Sequence, residues 1–600
     1  MPVENIFIVH CERIAKRQYY YLRFQYNDGL VAKIKELPEE TRKWSALNMA
    51  WEVSVTSLYF LIKKYKGSNK IHFDFGSDES RKIFINRIKN IEAKEEEKRK
   101  FIADLNIKKE HWVKYKEELE TTYIQYSDKL HALINDGITL YKHQQTAALF
   151  MNATRNALIS HEMGLGKTGS SILYAEMNGF QKVVVITPNS LKFNFYQEII
   201  FFTKSSAHIV GWKHNNCGIE NAKYVIINYD FFNPNPKIKD KFKAKWDKLK
   251  IDEIDAVICD ESSKLKNTKS NTYHNFKHTF NKDIFRNGKI SKIFLSGTPM
   301  PNRAHEIYSV MNQISPTEFS NKNKFLEFYC GMIYDKENGW GYITDSAEMR
   351  LEELYHKIAP FTHRKRKIEV LTDLPEKTYQ RVILEMDDNE YATYDEIEAG
   401  VVNEFMLYPT HNPLTIMIRL RQYLSHLKIK PVVELIESIL ETGEKVVIVD
   451  YFKEPLYELK KLLGDVAGLH TGDQTTEERA EIVSKFQDPN SNIKVFIGSI
   501  QTCNYGLTLT AASKMFIMTL PYSVGDYDQV ADRIHRISQR FPVNIYPLIF
   551  RETIDDYVFS SIENKRKEIV KVMDNEDYKS DVSESVLGEV IEIIKNKHKK

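Results

Sequence analysis

An α/β protein of two tandem lobes, each built on a parallel sheet and carrying helical insertions, behind a small α+β N-terminal module, is the architecture the sequence predicts. Three observations carry it. From about Asn135 onward, short β-branched runs alternate with amphipathic stretches, the pattern of strands buried on both faces. That texture gives way to a mostly helical stretch from about Ile307 to Leu440 and then begins again. Finally, a glycine-rich loop, an acidic pair and a Ser-Gly-Thr-Pro turn fall just after such runs, where open parallel sheets bind ligands.

Taken in order, residues 1–78 predict the small module. YYYLRFQYN (Tyr19 to Asn27) reads as a strand, Asn27-Asp28-Gly29 as a turn, and VAKIKEL (Val31 to Leu37) as a second strand. Residues 79–130 predict a charged helical linker, in which NIEAKEEEKRKF mixes signs while Ile102, Leu105 and Trp112 recur at helical spacing. Lobe one is expected over 131–377, with strands at NALIS (Asn156 to Ser160), VVVIT (Val183 to Thr187), YVIIN (Tyr224 to Asn228), AVICD (Ala256 to Asp260) and KIFLS (Lys292 to Ser296). Lobe two is expected over 378–575, with strands at KVVIVD (Lys445 to Asp450), VAGLH (Val466 to His470), IKVFIG (Ile493 to Gly498), KMFIMT (Lys514 to Thr519) and VNIYPLIF (Val543 to Phe550). A charged tail, 576–600, follows.

Composition narrows the class. The 600 residues carry 6 Trp, 33 Tyr and 32 Phe, more core-forming area than a disordered chain would hold. Five cysteines lie far apart without a CxxC pair, so neither structural zinc nor a disulfide framework is expected. The N-terminal apolar run is too short for a signal peptide and no run approaches a membrane span, so we expect an intracellular protein without a membrane partner, cytoplasmic or nucleoid-associated. The charge balance is nearly even, 85 Lys+Arg against 82 Asp+Glu, which leaves a nucleic-acid partner undecided.

The chemistry-bearing stretches are four. HEMGLGKT (His161 to Thr168) follows a strand and opens a helix, the context of a phosphate loop. Gly164 and Gly166 let backbone amides approach phosphates, Lys167 reaches the β/γ-phosphates, and Thr168 can hold Mg²⁺. The apolar AVICD strand runs into Asp260 and Glu261: the first suits Mg²⁺, the second an attacking water. In LSGTPMPNR (Leu295 to Arg303), Ser296, Gly297 and Thr298 are small groups suited to sensing a γ-phosphate. In QVADRIHRISQ (Gln529 to Gln539), Arg533 and Arg536 are spaced to share a helical face beside a structural His535, a pair that suits an acidic partner or, if it meets a γ-phosphate, its developing charge.

Those stretches, with LYKHQQ (Leu140 to Gln145), TPNSLKFNFYQEI (Thr187 to Ile199), HTGDQTTEERAEIVSKFQ (His470 to Gln487) and GLTLTAAS (Gly506 to Ser513), form an ordered series. The series resembles the superfamily-two helicase core, and more narrowly the Swi/Snf-type DNA translocase ATPases. FTHRKRKIEVLTDLPEKT (Phe361 to Thr378) is similar to the basic stretch that joins the lobes in that family. The resemblance implies two RecA-like P-loop lobes, ATP and Mg²⁺ as cofactors, and DNA as partner. It implies that Gln144 contacts adenine, that Ser296 to Thr298 couple the γ-phosphate to DNA, and that Arg533 and Arg536 are the fingers.

Two positions depart from the family pattern: His161 stands where Asp is usual, and Thr508 where Asn is usual. Lys192, Lys264 and Lys266 in lobe one, and His470, Arg479 and Thr502 in lobe two, are the candidates for a phosphate-backbone track. The N-terminal stretch Leu30 to Val55 is weakly similar to the HARP domain of annealing helicases, which makes Arg42, Lys43, Trp44 and Trp51 candidates for forked or single-stranded DNA. The expectation is therefore an ATP-driven motor that remodels duplex or forked DNA, with single-strand-binding or replication and recombination proteins as candidate partners. An RNA-directed or polymerase-recycling ATPase, and a nucleotide-gated scaffold with weak turnover, are the alternatives.

Overall fold

A computed structural model of the chain describes residues 7–14, 19–37, 41–65, 71–233, 253–281, 290–334, 341–343, 350–407, 413–504 and 506–577. Most of the expected tail, 578–600, lies outside the described residues. The chain divides into two compact units, Met1–Lys108 and Lys109–Lys600.

The first unit is a mixed sheet. Strands β1 (Phe7–Arg13), β2 (Tyr19–Arg23), β3 (Arg42–Ser45), β4 (Ala50–Ser54) and β5 (Ile71–Asp74) lie in the order β3-β4-β2-β1-β5, with β1 and β5 parallel and the other pairs antiparallel. VAKIKEL is not a strand. It lies largely in helix α1 (Asp28–Lys35), because Asn27 caps that helix by accepting Leu30 N–H at 2.9 Å and because Leu30, Ile34 and Leu37 bury themselves at helical spacing. The expected boundary at 78 also moves. A single helix runs from Asp78 to Thr122, and its Phe84 and Ile88 complete the core formed by Val9, Tyr20, Leu22, Val53 and Leu58.

In the second unit, helix α2 (Lys142–Thr154) precedes β6 (Asn156–His161), and helix α3 (Lys167–Met177) follows it. Then come β7 (Val183–Thr187), helix α4 (Lys192–Phe202), β8 (Ala207–Ile209), β9 (Tyr224–Asn228), β10 (Ala256–Cys259) and β11 (Ser291–Leu295). After a small hairpin, β12 (Met332–Tyr334) and β13 (Gly341–Ile343), the chain adds β14 (Thr362–Lys365) beside β6. The order is β14-β6-β11-β10-β7-β9-β8, and every pairing in it is parallel. This order puts the carboxyl ends of β6, β11, β10 and β7 side by side, which brings four motifs distant in sequence to one edge.

Lobe two repeats the device. Strands β15 (Lys377–Tyr379), β16 (Val382–Leu384), β17 (Lys445–Asp450), β18 (Ala467–His470), β19 (Val495–Ser499), β20 (Ala512–Ile517) and β21 (Val543–Phe550) form a second parallel sheet, ordered β15-β21-β20-β17-β19-β18 with β16 also on β21. Val446 and Ile448 bury on one face with Leu456 and Phe516, while Val447 and Val449 bury on the other with Tyr527 and Ile562. Burial on both faces is why these strands read as unbroken apolar runs. Among the described residues no helix is long and apolar enough to cross a membrane.

Candidate active site

The loop between β6 and α3 is shaped by two glycines. Gly164 and Gly166 have φ of +87° and +69°, the left-handed region that favours glycine. A Cβ on Gly166 would also sit 2.2 Å from Gln144 Nε2, so the loop closes directly on the side chain expected at adenine. Gln144 is held in place by Tyr141 N–H, which donates to its Oε1 at 3.0 Å. Tyr141, Gln144, Gly164 and Gly166 line a cavity of about 530 Å³, joined by Asn194 and Glu198 of α4.

Lys167 opens α3, and its ammonium donates to His161 O at 2.9 Å and Glu162 O at 3.2 Å. Burial lowers its pKa, and the Glu261 and Asp260 carboxylates oppose that shift. The unusual His161 does not enter the loop. Its ring turns away from Lys167's bonds to meet His363 of β14, Nε2 to Nδ1, at 2.8 Å.

At the end of β10, Asp260 accepts from Thr187 Oγ1 at 2.9 Å and from Glu261 N–H at 3.0 Å. Glu261 adopts φ +48° and ψ 53°, an uncommon backbone state for a non-glycine residue and one that recurs at functional sites. Burial raises both carboxyls, and for Glu261 the Asp260 charge adds to the effect and carries it up to about 7. Asp260 and the Thr168 hydroxyl are hard oxygen donors of the kind Mg²⁺ takes alongside waters and phosphate, so the residues fit that ion. Among the described residues no group of three or more His, Cys, Asp or Glu side chains could hold a metal by itself.

Lobe two touches this edge of lobe one. Gln529 Nε2 donates to Thr298 Oγ1 at 3.1 Å, and Gly525 N–H donates to Pro301 O at 3.0 Å, joining the helix Val524–Ala531 to the loop after β11. A Cβ on Gly297 would lie 2.9 Å from Met163 Cγ and 3.4 Å from Lys167 Nζ, so a side chain there would push Met163 aside next to the lysine. Ser296 is buried, its N–H donating to Ile159 O at 3.2 Å and its Oγ accepting Thr298 N–H at 3.2 Å. Arg533 is 1 % exposed, donates to Asn504 O, and acts electrostatically on Glu261. Arg536 Nη1 donates to Thr508 Oγ1 at 3.0 Å, so the threonine at the departing position still offers a hydrogen-bonding oxygen.

Two sequence models match this chain: a SNF2-related domain over residues 55–429, more than half of the chain, and a helicase conserved C-terminal domain over residues 428–538. The chain belongs to the SNF2-related family. Its SNF2-type relatives include an uncharacterized ATP-dependent helicase of Mycoplasma genitalium, 24 % identical over 72 % of this chain and 42 % of that one. Drosophila melanogaster SWI/SNF-related matrix-associated actin-dependent regulator of chromatin subfamily A-like protein 1 is 26 % identical over 72 % of this chain and 56 % of its own. The human DNA annealing helicase and endonuclease ZRANB3 is 24 % identical over 73 % and 41 %. The chain thus spans about half the length of the curated relatives it matches. A solved SWI2/SNF2 ATPase core from Sulfolobus solfataricus in complex with dsDNA covers 73 % of this chain and 97 % of its own at 20 % identity, with a TM-score of only 0.34.

The track candidates are dispersed in their surroundings. Lys264 is exposed, Lys192 is half-buried and donates to Val210 O at 3.4 Å, and Lys266 pairs with Glu306 at 3.1 Å. Arg479 is half-buried and donates to Thr475 O at 3.4 Å. His470 is a correction: it is 2 % exposed, its ring packs on Phe496 at 5.4 Å, and its Nδ1 meets Thr502 Oγ1 at 3.2 Å. Burial and the Arg479 charge push its pKa down to about 4, so its neutral ring steadies half-buried Thr502 from behind and presents no charge to a phosphate. Sequence reasoning missed Thr187, whose hydroxyl fixes Asp260, and the histidine pair; only Thr187's place at the end of an apolar strand could have signalled it.

Proposed function

We propose that the chain is a nucleic-acid-dependent ATPase that uses ATP and Mg²⁺ to move on duplex or forked DNA and remodel it. The observation that carries this reading is that half-buried Lys167 and Asp260 and buried Glu261 of lobe one act electrostatically on one another, and that the buried Arg533 guanidinium of lobe two acts on Glu261. A site divided between lobes makes hydrolysis depend on their closure, which is what a motor requires. In this reading Gln144 faces the base, and Lys167 exchanges the carbonyls of His161 and Glu162 for phosphate oxygens. Thr168 and Asp260 would hold Mg²⁺, which would supply positive charge against the phosphates. Glu261, its proton affinity raised by burial, orients and accepts a proton from the attacking water, and Arg533 and Arg536 stabilise the charge that develops.

The track for DNA runs past Lys192, Lys264, Lys266, Arg479 and Thr502, where backbone contacts hold register without reading sequence. In the N-terminal unit the β3–β4 pair presents Trp44, 49 % exposed, against Trp51 with ring centroids 5.5 Å apart, beside Arg42 and Lys43. Exposed aromatic and basic groups together suit a single strand or fork, as in the annealing-helicase reading.

The deciding experiment compares ATPase rates with duplex DNA, single-stranded DNA and RNA, with Lys167→Ala and Glu261→Gln as controls. Stimulation by duplex or forked DNA that both variants abolish is expected. Stimulation by RNA alone would move the assignment to an RNA-directed ATPase. Absence of turnover with every nucleic acid would leave a nucleotide-gated scaffold.

A further inference from the structure

The stretch between the lobes does more than join them. Residues 363–367 are bonded to the entrance of the phosphate loop: Arg364 Nη1 donates to Ser160 O at 3.0 Å, and Glu162 N–H donates to Lys365 O at 2.9 Å. Glu162 Oε2 accepts Lys367 N–H at 2.8 Å, while the Glu162 carbonyl is one of the two that receive the Lys167 ammonium. Glu162 is therefore bonded both to the backbone of Lys367 and to the Lys167 ammonium.

Its side chain faces the other way. Lys367 is 4 % exposed, and its ammonium reaches Asp532 Oδ1 at 3.0 Å and His535 O at 2.8 Å. Asp532 precedes finger Arg533 directly, and His535 precedes finger Arg536. Lys377 adds a second cation on Asp532 at 2.9 Å, and His535 Nε2 bonds Pro375 O at 2.8 Å, so the far end of the same stretch grips the same turn.

We infer that Lys367 is a positioning residue that couples the phosphate loop of lobe one to the arginine fingers of lobe two, through Glu162 on one side and Asp532 with His535 on the other. The inference rests on the ATPase reading above. The physical case is that one buried residue spends its backbone donor on the loop that holds Lys167 and its charged donors on the turn that holds Arg533 and Arg536. A shift of the loop on binding phosphates is thereby felt at the fingers without either moving through solvent. Charge-assisted bonds in a buried place have the stiffness this needs, because neither partner has water to fall back on.

The test uses the full chain and four variants, Lys367→Met, Lys367→Arg, Asp532→Asn and the Lys367→Met, Asp532→Asn double, with ATPase kinetics at saturating duplex DNA, fluorescent-nucleotide binding and thermal melting. First, wild-type stimulation by DNA is established; its failure would sink the ATPase reading and not the coupling alone. Given stimulation, Lys367→Met is expected to lower kcat by about tenfold or more while nucleotide affinity changes by less than about threefold, the signature of a lost transition-state interaction. Lys367→Arg, which keeps charge and donors, is expected to recover a substantial part of kcat. Asp532→Asn is expected to cost less in the Lys367→Met background than in the wild type, because the shared Lys367–Asp532 contact is already gone, and what it still costs there belongs to the Lys377–Asp532 pair. If Lys367→Met does not fold, Lys367→Arg and Asp532→Asn carry the same contrast. Unchanged kcat with a lower melting temperature, or a loss confined to nucleotide affinity, would overturn the proposal.

Discussion

His161 Nε2 and His363 Nδ1 lie 2.8 Å apart, tying the last residue of β6 to the neighbouring strand β14 in a fully buried place. A third ring, His143 of α2, meets His161 edge-on with centroids 5.6 Å apart and bonds Leu165 O at 2.7 Å. The residue that departs from the family pattern at the start of the phosphate loop thus belongs to a packed histidine cluster behind the loop. The backbone carbonyl of His161 accepts from Lys167 while its ring bonds His363, so this residue meets the loop's lysine through its main chain and the strand behind through its side chain.

That pair sets a pH dependence of stability. Burial, with the charges of Lys167 and Arg364 around His161 and of Lys116 and Lys365 around His363, and His143 beside both, holds the two rings well below the usual histidine range. The unfolded chain binds protons near its ordinary histidine pKa of about 6.5, and the folded chain refuses them. Stability from the neutral pair is therefore complete above about 6.5 and is lost as pH falls below it. Melting temperature measured at about pH 7.5 and about pH 5.5 is expected to drop more steeply in the wild type than in a His161→Gln, His363→Gln double variant. Equal slopes would show that the pair is not what the acid reaches.

Thr508 holds Arg536, and the identity of the holder should matter in one direction. Thr508→Asn keeps an oxygen for the guanidinium, whereas Thr508→Val leaves a half-buried charged donor without that acceptor. DNA-stimulated kcat is expected to stay within about threefold for Thr508→Asn and to fall about tenfold for Thr508→Val, with nucleotide affinity unchanged in both. A loss of affinity in Thr508→Val would mean that Arg536 serves binding and not the developing charge.

The two sheets were legible because their strands are buried on both faces, which leaves unbroken runs such as VVVIT and KVVIVD. β15 and β16 escaped notice for the opposite reason: each has only three residues, all half-buried, and neither writes such a run. Lys167, Asp260 and Glu261 were legible because each follows a strand in its motif. Lys367 and Asp532 were not, since a charge in sequence carries no distance, and only the packing of the lobe-joining stretch against both lobes brings them together. His470 misled because a histidine after a strand looks the same whether its ring faces solvent or Phe496.

VAKIKEL shows how a cap decides between periods. Its residues suit a short strand after an Asn-Asp-Gly turn, yet Asn27 accepts Leu30 N–H and starts a helix. Asn27→Ala is expected to destabilise the N-terminal unit by about 1 kcal/mol, the usual worth of such a cap. Hydrogen exchange at Leu30 and Val31 should speed up accordingly, and unaltered exchange would mean that burial of Leu30 and Ile34 holds the helix without the cap.

Gly166 is where two requirements meet. Its φ of +69° strains any side-chain-bearing residue by roughly 1 kcal/mol or more, and its missing Cβ leaves room for Gln144 Nε2, which would otherwise be 2.2 Å away. In Gly166→Ala the amide of Gln144 can swing aside because it ends a flexible side chain, but it then leaves the wall of the cavity beside the loop, and the backbone strain remains. Adenine recognition and phosphate cradling are therefore expected to weaken together, raising the ATP KM by about tenfold or more, with a smaller effect on kcat at saturation. Adding Gln144→Ala separates the two causes. If the clash dominates, Gly166→Ala costs little more in a Gln144→Ala background; if the strained turn dominates, its full cost persists there. An unchanged KM in Gly166→Ala would remove both Gly166 and the neighbouring cavity from the nucleotide site.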